Sequence, residues 1–290
     1  MSELTFHGVD IGLLEGGEDL VGLILEATGS GEHPTLQDGD VLVVASKVVS
    51  LAEGRYVGLE SVPVSPRAER IADRTGIDPR EVELILRESD VVGSIPVDEI
   101  GRELLAEYAA SAEGAEGALE TLPSLLVTVR NGRLCTNAGI DMSNSPAGTA
   151  TLLPDDPDAS ARRIREAIRD RADVDVAVIL SDSEVSYRGG SVDVAIGCAG
   201  IDPVDHNFGA TDLFGEPKLG GVDLVADELA AGAALLAGQT DERMPVVVAR
   251  DLEYEDGGGI GGEASLVREG LLATVRQSVA VKLAEKLPLP

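Results

Sequence analysis

The stretch from Leu125 to Asn144, LLVTVRNGRLCTNAGIDMSN, constrains this chain more than any other. LLVTVR is an apolar run of β-forming residues, and Asn131-Gly132 after it has the chemistry of a hairpin turn. RLCTNAGID then leads into a polar loop that offers a carboxylate, a hydroxyl and an amide in close succession: Asp141, Ser143 and Asn144. Oxygen donors on a short, glycine-containing loop suit a hard cation and the phosphates it carries. A second apolar run, VDVAVILSDS, is expected to finish as a strand at another carboxylate and hydroxyl, Asp182 and Ser183. Two strands that deliver oxygen ligands at their ends call for an open α/β sheet, where sites form beyond the strand ends.

The rest of the pattern agrees with an α/β class and a mixed sheet. Residues 2–14 read as a short strand and a loop ending in Ile11-Gly12-Leu13-Leu14, and Glu18 to Ala27 has helical spacing. VLVVASKVVS, residues 41–50, is a continuous β-branched run of the kind buried on both faces, with Ser46 and Lys47 towards its end. Ser65-Pro66 and Asp78-Pro79 each start a helix, with proline where its missing N–H does no harm. Val82, Ile85 and Leu86 are the expected apolar face of the second. Asp158 or Ser160 is expected to cap the helix ARRIREAIRDR, which returns to VDVAVIL as part of a βαβ unit. VDVAIGCAGI, a helix from about Leu224 to Ala237, the strand PVVVAR and a C-terminal helix from about Ala264 complete the chain. Residues 1–290 read as one continuous region, with a subdomain boundary or insertion around the Ala- and Glu-rich stretch 103–122.

Charge narrows the partners. The chain carries 52 Asp and Glu against 23 Lys and Arg, a formal net charge of −29, and only four of the basic residues are lysines. Acid spread along the whole chain, scarce lysine and few aromatics resemble the composition of proteins from a salt-saturated cytoplasm. At molar salt the Debye length of about 3 Å screens such self-repulsion. No basic stripe is present to neutralise a nucleic acid or an anionic membrane, so neither is an expected partner. No apolar run approaches the roughly 20 residues that span a bilayer, and no signal peptide is expected, so a cytoplasmic protein is the expectation. Cys135 and Cys198 lack metal-ligand spacing and read as buried small hydrophobes.

Several familiar chemistries are absent. There is no GxxxxGK[ST], and the glycine run Gly257 to Gly262 follows an acidic loop with no ribose-binding acid after it, so it reads as a surface segment. The three histidines, His7, His33 and His206, lie far apart and beside no candidate nucleophile, which argues against a hydrolytic triad or a histidine zinc site. What remains is the oxygen set. Asp141 and Asp182, with Asn144 and with Gln239 just beyond the helix holding Asp227 and Glu228, favour a divalent-metal and nucleotide-phosphate site. Their spacing does not name the reaction.

Longer motifs do. NAGIDMSN at 137–144, TLLPDDPDASA at 151–161, Asp182-Ser183, VDVAIGCAGI at 192–201, DLFG at 212–215, VADELAAGAALLAGQ at 225–239, PVVVAR at 245–250 and VLVVASKVVSLAEGR at 41–55 occur in one family's order. Across nearly all its length the chain resembles the coenzyme F-420-0: L-glutamate ligases, or gamma-glutamyl ligases, and reads as a diverged haloarchaeal member. That resemblance implies the family's two-part fold and a GTP-dependent, usually dimeric amide ligase requiring Mg²⁺ or Mn²⁺, with K⁺ as a further ion. Its substrates would be GTP, L-glutamate and the deazaflavin coenzyme precursor, joined through an acyl phosphate. Carried over by position, Asp141, Asp182, Ser183 and Gln239 are the implied metal ligands. Asn144, Ser46, Lys47, Gln239 and the loop Ile11, Gly12, Leu13 and Leu14 are the implied nucleotide contacts. Arg188 is the expected clamp on a substrate carboxylate or phosphate.

Three departures stand out. Leu51 occupies the place of a nucleotide-facing lysine of the family. If the run from Val41 were all strand, Lys47 would lie on the same face but about 13 Å away. Glu184-Val185-Ser186 replaces a Gly-Arg-Pro segment before Tyr187-Arg188, and Arg250-Asp251 replaces Arg-Gly. The departures leave open a related amide ligase with another substrate and a non-catalytic, nucleotide-binding homologue.

Overall fold

Val41–Ala45 (β2) is the centre of the largest sheet among the described residues. The computed structural model describes residues 3–97, 110–121, 123–145, 148–186, 190–217 and 222–260. Arg188 and the expected C-terminal helix lie outside the described residues. The chain forms two units, one from the segments Met1–Val64 and Gly139–Ile260, the other containing Ser65–Ala138.

In the first unit, Thr5–Val9 (β1), β2, Ala177–Val185 (β8), Ser191–Ala199 (β9) and Val246–Arg250 (β10) make a sheet of order β1-β10-β2-β8-β9. Strands β2 and β8 run parallel and the other pairs antiparallel, so the sheet is mixed as expected. The period-2 alternation of β2 feeds two cores. Leu42 and Val44 face Leu20–Gly29 (α1) and Pro157–Ala172 (α6), meeting Ile24, Ile164 and Ile168. Val41 and Val43 face Val225–Ala237 (α7), meeting Leu229 and Ala233. Burial on both faces explains why the run is apolar throughout. Each large side chain fully buried here, such as Ile179 or Leu180, stabilises the fold by about 1.5–3 kcal/mol. Gly197 on β9 admits α6 closely: a Cβ there would lie 2.4 Å from the backbone carbon of Pro157.

Several boundaries differ from the sequence reading. The strand expected over residues 41–50 stops at Ala45, and Ser46–Ala52 is a helix (α2) whose Val48, Val49 and Leu51 are buried at helical spacing. Nor does the second apolar run end at Asp182 and Ser183. Those residues lie within β8, which continues to Val185 because β9 extends alongside it, with a register shift after Leu180. The parallel partner of β8 is the distant β2, while the small strand before α6, Thr149–Thr151 (β7), pairs instead with Tyr56–Gly58 (β3). Helix α6 is capped by Asp156, whose side chain accepts from the Ala159 N–H, which frees Asp158 to accept from the Cys198 and Ile260 N–H groups. The glycines at 257–259 lie at the surface as expected, with Gly257 and Gly258 exposed, but they are tied down. They continue the edge beyond β9 through Gly200 N–H to Gly257 O and Gly259 N–H to Cys198 O.

In the second unit, Asp90–Pro96 (β4), Ser124–Arg130 (β5) and Arg133–Thr136 (β6) form an antiparallel sheet, the last two joined by the Asn131-Gly132 turn as expected. Helices Pro66–Thr75 (α3) and Pro79–Glu88 (α4) start at the expected caps, Ser65 and Asp78. On α4, Leu84 is buried with Val82 and Ile85, while Leu86 is only partly so. Ala112–Thr121 (α5) falls in the Ala- and Glu-rich stretch, within this unit. Cys135 and Cys198 are both buried, as expected, and no disulfide joins them.

Candidate active site

All the described candidate ligands belong to the first unit, and the register of its strands brings most of them together. Parallel pairing of Ala45 with Ser181 places Ser46 and Asp182 one step further along, where the Ser46 hydroxyl donates to Asp182 Oδ1 at 2.7 Å. Antiparallel pairing sets Ser183 opposite Asp193, and the Ser183 hydroxyl lies 2.5 Å from Asp193 Oδ1. Gln239 follows α7 immediately after its Gly238 cap and reaches both: its Nε2 donates to Asp193 Oδ1 at 3.0 Å, and its Oε1 lies 3.0 Å from Ser183 Oγ.

Asp141 arrives from another direction. It forms a backbone bridge with Thr151, two hydrogen bonds of 3.1 and 2.8 Å, after a left-handed turn at Ala138 and Gly139. Gly139 is required there, because its φ is +68° and a Cβ would meet Leu153 Cδ1 at 2.3 Å. The Asp141 carboxylate accepts from the Ser143 N–H and hydroxyl, at 2.7 and 2.9 Å, and from Lys47 at 2.5 Å. Lys47 also donates to Ser143 O at 2.5 Å. Since Ser46 holds Asp182 and Lys47 holds Asp141, one dipeptide at the start of α2 joins the two carboxylates. Asn144 donates to Thr240 O at 3.3 Å, which ties the 141–144 loop to the segment holding Gln239.

The electrostatics are lopsided. Asp182 is only partly exposed as a residue, and burial pushes its carboxyl up to about 7; nearby Glu184, Asp141 and Asp193 add to the rise, and the Ser46 hydrogen bond opposes it. Among the described residues neither Asp182 nor Asp193 has an ion-pair partner, and Lys47 is the ammonium that stands against Asp141. A compact group of acids facing one ammonium is where a further cation is stabilised. The donor set also has the right chemistry for a hard ion, being all oxygen. Among the described residues no three His, Cys, Asp or Glu side chains are gathered around one point, and half of the implied ligands are hydroxyl and amide oxygens.

The loop at 11–14 is placed differently. Ile11 is buried and Leu14 packs against the same core, while Gly12 has a φ of +80° and Leu13 is 81% exposed. Among the described residues no hydrogen bond joins these four to the carboxylate cluster; Asp10 beside them approaches Arg243 at 3.8 Å. Leu51 shares a face of α2 with Lys47, since residues four apart on a helix are neighbours about 6 Å apart, not the 13 Å expected of a strand. Leu51 itself is only 3% exposed, within the core. The sequence reading missed Asp193. Its signal was an acid inside the apolar run VDVAIG, but its role needed the register with β8.

Comparison with known proteins bears on this arrangement. Residues 8–251 match the family model of the F420-0:Gamma-glutamyl ligase. The chain belongs to that family. The match spans the cluster and all of its sheet but the first residues of β1. A Coenzyme F420:L-glutamate ligase of Methanopyrus kandleri is 39% identical over 241 residues, 82% of this chain and 83% of the relative. The protein of that name in Methanothermobacter thermautotrophicus is 38% identical, over 88% of this chain and 92% of its own length. That of Halorubrum lacusprofundi is also 38% identical, over 88% and 92% of the two chains. No helix among the described residues is long and apolar enough to cross a membrane.

Proposed function

We propose that this chain is a GTP- and divalent-metal-dependent ligase that attaches L-glutamate to the deazaflavin coenzyme precursor. The observation that carries the reading is the hydrogen-bonded gathering of Ser46-Lys47, Asp141-Ser143, Asp182-Ser183 and Gln239 in a member of the gamma-glutamyl ligase family. The relatives' name supplies the substrate class.

A carboxylate is a poor electrophile, so its activation comes first. A carboxylate oxygen of the precursor attacks the γ-phosphorus of GTP, the bond to the bridging oxygen breaks, and GDP departs. The glutamate amine then adds to the carbonyl carbon of the acyl phosphate, loses a proton, and phosphate leaves. Bound Mg²⁺ or Mn²⁺, held by Asp141, Asp182, Ser183 and Gln239, supplies the positive charge that offsets the triphosphate and the transferring phosphoryl group. Lys47 and Asn144 contribute donors to the same phosphates, Lys47 by exchanging its hold on Asp141 and Ser143 O. Ser46 keeps Asp182 oriented. Arg188 clamps the acceptor carboxylate, and the backbone at 11–14 borders the nucleotide. The working form is a cytoplasmic homodimer suited to high salt, with K⁺ as an accessory ion.

The test is incubation in molar KCl with GTP, Mn²⁺, L-glutamate and the precursor, followed by mass spectrometry. The reading requires a product heavier by a glutamyl residue together with GDP. Absence of GDP release with this acceptor and with related acids would overturn it.

A further inference from the structure

Asp193 Oδ1 is shared by two donors, the Ser183 hydroxyl at 2.5 Å and Gln239 Nε2 at 3.0 Å. Those two partners also face each other, Ser183 Oγ and Gln239 Oε1 being 3.0 Å apart. A serine hydroxyl has one proton. Its shorter approach is to a carboxylate, the stronger acceptor, so the proton belongs there. Reversing the Gln239 amide is disfavoured, because it would set a carbonyl oxygen against Asp193 Oδ1. The consequence is a pair of oxygens 3.0 Å apart with no proton between them. Such a pair repels unless a cation shares it. Two adjacent ligands of an octahedral ion with bonds of about 2.1 Å are separated by about 3.0 Å, the spacing found here.

We propose that Asp193 is a positioning residue, whose Oδ1 occupies the donors of Ser183 and Gln239 and so turns their oxygens together towards one divalent cation. The inference rests on the metal-dependent reading above. It assigns Asp193 no bond to the ion; its part is that of the outer partners which orient metal ligands.

The experiment is titration of the whole chain with Mn²⁺, the free ion being counted by electron paramagnetic resonance. Wild type is compared with Asp193→Ala, Asp193→Asn, Ser183→Ala and the Asp193→Ala/Ser183→Ala double variant, with metal-free thermal midpoints recorded for each. Asp193→Ala should weaken Mn²⁺ binding by about 10–100-fold. Asp193→Asn, which keeps an acceptor oxygen, should retain most of the affinity, and the double variant should lose more than Ser183→Ala alone, because Gln239 is released as well, but less than the two single losses combined. Asp193→Val, whose branched side chain suits a strand, replaces the alanine variant should that fail to fold. Equal losses in Asp193→Asn and Asp193→Ala would overturn the proposal by making the charge the ligand. Wild-type affinity in Asp193→Ala would overturn it by removing Asp193 altogether. Failure of the wild type to bind Mn²⁺ would instead sink the metal reading, and the proposal with it.

Discussion

The two ends of strand β2 hold carboxylates in opposite circumstances. At its start Asp40 is 2% exposed and gripped by Arg250, with Nε to Oδ1 and Nη2 to Oδ2 both at 2.7 Å, and Arg250 is further held by Thr35 O. At its far end Asp182 has a serine hydroxyl for a partner and three acids for neighbours. The sheet thus has a closed ion pair beside one end of β2 and, beside the other, an excess of negative charge on β8 and β9. The first arrangement is complete within the protein. The second leaves Asp182 and Asp193 without an ion-pair partner among the described residues, a cost of the kind that folds retain at functional sites.

The contrast can be broken most forcefully at Asp182. Asp182→Asn should reduce metal-dependent GTP turnover by at least about a hundredfold, the loss that even an outer-shell partner can cause. The same change removes one charge from a crowded group, so the metal-free thermal midpoint should rise. A fall in midpoint on calorimetry would mean that the carboxylate is structural after all. At the other end, Arg250→Ala leaves Asp40 buried without its partner and should cost about 3–5 kcal/mol of stability by denaturant titration. Mn²⁺ affinity of the folded fraction should be unchanged. Ser46→Ala is intermediate, because it removes a hydrogen bond to a charged group worth about 1.5–3 kcal/mol. It should weaken Mn²⁺ binding measurably and lower stability by less than Arg250→Ala does. The smallest effect belongs to Asp156→Ala, which deletes the cap of α6 and should cost about 1 kcal/mol with no change in metal affinity. If that variant altered Mn²⁺ binding, the separation between structural and functional acids would blur.

Local chemistry made much of this legible in the sequence. The Asn-Gly hairpin between β5 and β6, the Ser65-Pro66 and Asp78-Pro79 helix starts and the doubly buried β2 all follow from turn residues, caps and periodicity. The apolar run after Ala45 misled because valines at 48 and 49 suit a strand by propensity, yet pack as a helix once the sheet ends. That error moved Lys47 and Leu51 apart by a distance the helix removes. Asp141, Asp182, Ser183 and Gln239 were legible as oxygen donors, but which donor faces which depended on pairings over long sequence distances. The Ser46–Asp182 contact needs β2 to lie parallel to β8, and Asp193 needs the antiparallel register of β8 with β9. The lysine at 47 was legible as a charge, though not as the group that joins two carboxylates.

The most direct measurement is anomalous diffraction from crystals soaked with Mn²⁺ and GTP. The account predicts a manganese peak with carboxylate oxygens of Asp141 and Asp182 within bonding distance, about 2.1 Å for a hard octahedral ion. The triphosphate should lie on its far side, with Lys47 turned towards it. A manganese ion bound elsewhere, with Lys47 still closed on Asp141 and Asp182 still held by Ser46 alone, would contradict it.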